Sequence, residues 1–172
     1  MWYLQDESTV YNRVTLKQGL IYKVSEITSN DYTANKVDAI YTFELKTQSI
    51  VPVNGRIRVN LPDNMSMRGS QVQNNCYRLN YAQNSLRMDC VANESQNYFD
   101  VFIKSSTFGT DGLPANQVFK LQVSGMTNPK EINVPAAFTI ESFDDSERLI
   151  DKSGASQGFT ITMKGVGSLG SI

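Results

Sequence analysis

From Ala39 to Pro62 the chain reads AIYTFELKTQSIVPVNGRIRVNLP, with apolar residues on every second position. Tyr41, Phe43 and Leu45 alternate with Thr42 and Glu44; beyond a break at Pro52–Gly55, Ile57, Val59 and Leu61 alternate with Arg56, Arg58 and Asn60. Successive side chains of a strand point to opposite faces, so each run offers one apolar face and one wet face. The pattern predicts two strands and the corner between them, in antiparallel sheets packed on one another rather than in a doubly buried parallel sheet.

The same period recurs along the chain. Leu20–Ile27 predicts a first strand, followed by a polar turn at Thr28–Asn35, and Pro62–Asn75 reads as a loop rich in Asn, Ser, Gly and Gln. Tyr77–Tyr81 and Ser85–Val91 predict a hairpin around Gln83-Asn84. Further strands are predicted at Phe99–Ile103, at Phe119–Val123 after a turn at Gly109–Pro114, at Phe138–Ile140 and at Phe159–Met163. Many short strands set apart by turn signals, with no helical period, predict an all-β sandwich.

Length and charge narrow the classes. A chain of 172 residues holds one domain, or one with flanking pieces, and can bury a full core. Its 16 basic and 17 acidic residues are interspersed, so no basic stripe suits nucleic acid or an anionic membrane. No run approaches the roughly 20 apolar residues of a membrane-spanning helix, and MWYLQDESTV has no signal-peptide pattern. The chain contains no histidine, which removes the usual general base, the usual metal ligand and every Ser-His or Cys-His pair. No motif predicts an enzyme or a cofactor.

Cys76 and Cys90 lie equally far from residue 83, the centre of the predicted hairpin. They are expected to face each other across its strands and form a disulfide; two buried free thiols are the alternative. A disulfide implies an oxidising compartment. Two N-glycosylation sequons, Asn64-Met65-Ser66 and Asn93-Glu94-Ser95, fall in predicted loops and agree with an extracellular location and N-linked glycans.

The two ends of the chain are alike. YLQDEST running through VTLKQGLIYKV matches FDDSERLID running through FTITMKGVGSLGSI, at an offset of about 147 residues. Either this is coincidence between strand-turn segments of common composition, or the chain is cut from an array. On the array reading, residues 1–18 end one repeat, 19–164 form a complete domain, and 165–172 are a linker into the next.

YTFELKTQSIVPVNGRIRVNLP, the Cys76–Cys90 pair, FKLQVSGMTNP and FTIESFDDSERLID resemble the Ig-like tandem repeats of very large extracellular proteins of ciliate protists. The resemblance covers most of Leu20–Asp151 and implies an Ig-like sandwich repeated many times in a surface-exposed or secreted chain. It carries no catalytic residues. Bacterial adhesin and pilus modules share the general look.

Two sets of residues remain as candidates. Asp144, Asp145 and Glu147, with Asp151 nearby, and Asp6 and Glu7 at the matching place near the start, are either an ordinary acidic turn or junction ligands for calcium. Trp2, Tyr3, Tyr22, Tyr32, Tyr98 and Phe102 include aromatics on the wet side of their strands, either partly buried or packed against a neighbouring domain, chain or sugar. The expected function is a structural module of an extracellular filament or surface coat, with neighbouring repeats as partners; the alternative is an adhesin module binding glycan or calcium through its loops.

Overall fold

The computed structural model describes residues 18–79, 85–154 and 158–164. In chain order the first strands are β1 (Gly19–Lys23), β2 (Thr28–Ser29), β3 (Ala39–Thr47), β4 (Arg56–Asn60) and β5 (Ser66–Met67). Helix α1 (Gly69–Asn74) precedes β6 (Cys76–Leu79), β7 (Ser85–Arg87), β8 (Asp89–Asn93) and β9 (Tyr98–Phe102). Helix α2 (Ser105–Phe108) leads to β10 (Phe119–Thr127), β11 (Pro135–Ala137), β12 (Thr139–Phe143), β13 (Leu149–Ser153) and β14 (Thr160–Thr162).

Ten strands hydrogen-bond in the order β7-β6-β10-β3-β1-β13-β12-β4-β9-β8. Every pairing on that path is antiparallel except β1 with β13, which is parallel. Strand β6, next to one end of the path, is disulfide-bonded to β8 at the other end. The sheet therefore doubles over, and its halves face each other as an antiparallel sandwich. Strands β2 and β5 are short additions beside β3 and β10, and β11 pairs with β14 in a separate ribbon.

The core follows from the period-two pattern. In β3, Ala39, Tyr41, Phe43, Leu45 and Thr47 are buried while the residues between them are not. Phe138 meets Phe43 edge to face at 5.2 Å and Tyr41 at 6.0 Å between ring centroids. Tyr41 cannot leave its hydroxyl unpaired in such a place. It donates to Asn128 Oδ1 at 2.6 Å, and Asn128 Nδ2 donates to the carbonyls of Asp31 and Thr33 at 2.8 Å. One buried amide thus ties β3 to two loops, and burial pushes the Tyr41 phenol well above its ordinary value.

Two glycines permit close approaches. Gly19 lies against the Asp151 carboxylate, where a Cβ would fall 1.9 Å from Oδ1. Gly125 has φ +89° at the irregularity between Val123 and Met126, and its carbonyl accepts from Arg68 N–H beside α1.

Three expectations need correction. The polar stretch Pro62–Asn75 contains β5 and α1, and α2 is a second short helix. Helix α1 buries only Gly69 and Val72, too little to print a helical period. The hairpin register also differs: Tyr77 pairs with Arg87 and Leu79 with Ser85, so Cys76 lies opposite Met88. Beyond Met88 the chain passes to β8 in the other half of the sandwich, where Cys90 pairs with Val101. The disulfide therefore joins the two layers, with its Cα atoms 6.3 Å apart, instead of two strands of one hairpin.

Candidate functional site

Strand β4 sends Ile57 and Val59 inward, which leaves Arg56 and Arg58 on the outer face between β9 and β12. Arg58 forks the Asp100 carboxylate through Nε and Nη2, both at 2.8 Å, and lies 3.7 Å over the Tyr98 ring. Arg56 sits 3.3 Å from the same carboxylate, lies over Phe143 at 4.6 Å, and places Nη1 and Nη2 on the two oxygens of Glu147. Asp100 is only 7% exposed although it faces outward, because both arginines cover it. Such a network spends its charges internally and stiffens the sheet face; it leaves no carboxylate waiting for a substrate.

The acidic turn between β12 and β13 is occupied in the same way. Asp144 Oδ1 accepts the N–H groups of Ser146 and Arg148, each at 2.9 Å, and its Oδ2 accepts Arg148 Nε at 2.7 Å. The Arg148 backbone N–H, chief among these donors, holds the Asp144 carboxyl below its ordinary range. The hydrogen bond from Arg56 does the same for Glu147 and raises the guanidinium in return. Asp151 is fully buried away from that turn, where it accepts from Ser49 N and Oγ at 2.8 and 2.7 Å. Among the described residues no three metal-ligating side chains gather at one point. Asp6 and Glu7 lie outside the described residues.

The sequons sit in different settings. Asn93, at the end of β8, accepts from Ser95 Oγ at 2.8 Å and donates to Gln96 Oε1 and the Tyr98 hydroxyl. Asn64 donates to Glu131 and borders a recess of about 350 Å³ that Asn128 and Lys130 also line. Of the aromatics, Tyr22 is half-buried under Lys46, Tyr32 packs on the core, Tyr98 is covered by Arg58, and Phe102 lies beneath Lys104. Trp2 and Tyr3 lie outside the described residues.

The two ends of the described chain are placed by their partners. Gly19 pairs with Asp151, and Leu20 exchanges backbone and side-chain hydrogen bonds with Gln48, just past the end of β3. Lys164 bridges to Thr33, in a loop whose Lys36 carbonyl accepts from Asn128 N–H near the start of β3. The described residues thus begin at one pole of the sandwich and end at the other, separated by a nine-residue strand of roughly 30 Å. Periodicity could have revealed the arginines, which alternate with Ile57 and Val59. The poles could not be read from the sequence, because they follow from which strands pair.

No protein-family profile and no curated protein matches the chain. Solved structures of similar shape include BslA, a bacterial hydrophobin, at 12% identity and a TM-score of 0.46, over 88% of this chain and 98% of that one. Another is the collagen-binding domain of a Staphylococcus aureus adhesin, at 8% identity and a TM-score of 0.41, over 74% of this chain and 92% of that one. A third is the pilus backbone RrgB of Streptococcus pneumoniae, at 5% identity and a TM-score of 0.36, where 74% of this chain matches 52% of that one.

Proposed function

We propose that this chain is a structural module of a repetitive extracellular protein, a filament or surface coat, of the Ig-like tandem-repeat kind its sequence resembles in ciliate protists. On this reading residues 19–164 are one repeat, 1–18 close the one before, and 165–172 lead into the next. The observation that carries it is the passage of the chain from Gly19 at one pole to Lys164 at the other. Modules threaded in this way join end to end without a reversal, which is what a linear array requires.

Two further features favour a mechanical role. The Cys76–Cys90 disulfide clamps the layers together at the open side of the folded sheet. The charges on the outer face of β4 neutralise one another, so that face acts as a stiff wall. The proposed partners are the neighbouring repeats, with N-linked glycans on Asn64 and Asn93, and the reading is not enzymatic. Binding of calcium through the β12–β13 turn is less favoured, since Asp144 and Glu147 already hold arginines. Sequencing the parent gene on both sides of this segment tests the proposal. Further copies spaced by about 147 residues support it; unrelated flanking sequence on both sides overturns it.

A further inference from the structure

Asn54 is the only asparagine of the chain followed by glycine, and the corner between β3 and β4 asks for both residues. Asn54 stands third in the turn Pro52–Gly55 with φ +67°, a left-handed position that favours glycine or asparagine. The turn is closed by the bond from Gly55 N–H to the Pro52 carbonyl at 3.0 Å. Gly55 is buried where a Cβ would fall 2.6 Å from the Phe143 carbonyl oxygen, so a side chain has no room there. The same pairing exposes the asparagine to chemistry from within the chain, because a glycine nitrogen has no side chain beside it to hinder attack.

In that chemistry the Gly55 nitrogen, its proton lost to base, bonds to Asn54 Cγ; the Cγ–Nδ2 bond breaks and ammonia leaves. Water then opens the cyclic imide at either carbonyl, giving aspartate or, when the main chain runs through the side-chain carbon, isoaspartate. Asn54 is exposed, so water and base reach its amide. The backbone stands in the way. Gly55 N–H is held by the Pro52 carbonyl, Asn54 N–H donates to the Ile103 carbonyl at 2.8 Å, and Ile103 N–H donates to the Gly55 carbonyl at 2.9 Å. The last two continue the β4–β9 ladder beyond the Arg56–Phe102 pair. Bringing the Gly55 nitrogen round to Cγ breaks the first bond and pulls on the other two.

We infer that Asn54 is a covalent-modification site held shut by the fold and opened by unfolding, with water as its only co-reactant. Isoaspartate adds one methylene to the main chain between the two groups that bond Ile103, so the converted corner cannot rebuild both bonds. Opening of the corner is thereby recorded: a chain that recloses promptly is unchanged, and one held open is converted and returns less stable. The site stands whether or not the chain belongs to an array.

The test incubates the 172-residue chain, disulfide intact, at mildly alkaline pH in buffer and in guanidinium chloride. Peptide mapping that separates aspartate from isoaspartate follows every asparagine. In denaturant Asn54 is expected to convert before any other asparagine. In buffer it should convert at least about tenfold more slowly, the cost of parting its hydrogen bonds. Returned to buffer, the converted chain should melt about 4–8 °C below the parent, which corresponds to two lost bonds. Asn54→Gly keeps the left-handed position and removes the amide, so its melting should survive the same incubation unchanged. Should that variant melt early, Asn54→Asp takes its place, because an ionised carboxylate is a far poorer target at this pH. Equal rates in buffer and denaturant overturn the lock, and another asparagine converting first overturns the site. A converted chain that melts with the parent overturns the record of opening.

Discussion

Reducing the Cys76–Cys90 disulfide removes the cross-link while leaving both sulfur atoms in the core, where Cys76 is 0% and Cys90 4% exposed. The perturbation therefore isolates the connection from the packing. The two cysteines are 14 apart in sequence, and closing a loop of that size restricts the unfolded chain by about 3 kcal/mol. At this length each kcal/mol moves the melting midpoint by about 2–4 °C, so reduction should lower it by about 6–12 °C. Urea unfolding with and without a phosphine reductant measures the same difference, and the reduced chain should show a steeper dependence on urea because its unfolded state expands. The structure adds a spatial expectation. Strands β6 and β8 sit at opposite ends of the hydrogen-bonded path, so hydrogen exchange should quicken at both by more than the general loss of protection that lower global stability brings to β3. A stability change below about 0.5 kcal/mol, or a quickening spread evenly over the sheet, would refute the view that this bond clamps the two layers.

Other expected outcomes follow from single contacts. Tyr41→Phe strands Asn128 Oδ1 in the core and should cost about 1–3 kcal/mol in urea unfolding; a loss within error would contradict the buried hydrogen bond. Gly125→Ala forces a side chain into φ +89° and puts its Cβ 2.6 Å from that of Gln71, for a loss of about 1–3 kcal/mol, whereas Gly109→Ala, with φ +83° but open space, should cost less. The carboxyls of Asp31, Asp144 and Glu147 are all held below their ordinary values, chiefly by hydrogen bonds from Thr33, Arg148 and Arg56 respectively. Depressed folded values mean that their stabilisation is complete above the ordinary carboxylate range of about 4 and is lost as pH falls through the lower folded values. Stability should accordingly hold from neutral pH to about 4.5 and then fall toward pH 2, with part of the slope absent in Glu147→Gln; a rise on acidification would contradict the assignment.

Much of the fold was legible because apolar residues alternate wherever a strand has one wet face. Strands β3, β4, β9 and β10 announce themselves in this way. Strand β13 did not, and its chemistry says why: it turns Asp151 and Ser153 inward, so the buried side is polar and no alternation of hydrophobicity appears. Those groups are satisfied by Ser49 and by Ile140 N–H, partners that sequence alone does not bring together. The register of the β6–β7 hairpin was off by two residues, with Cys76 opposite Met88 instead of Cys90, because Met88, where the chain turns toward β8, reads as a continuing strand. The acidic turn showed its carboxylates but not its arginines, since Arg56 is 91 residues from Glu147. What a local pattern can encode was readable; what depends on distant strands meeting was not.

The central claim is that each module carries the chain from one pole to the other and so builds a straight array. Electron microscopy of the native parent protein tests it most directly. A domain of this size is about 40 Å across, so the account predicts unbranched rods with an axial repeat of about 40 Å. Compact particles with no axial repeat, or modules folded back side by side, would contradict it.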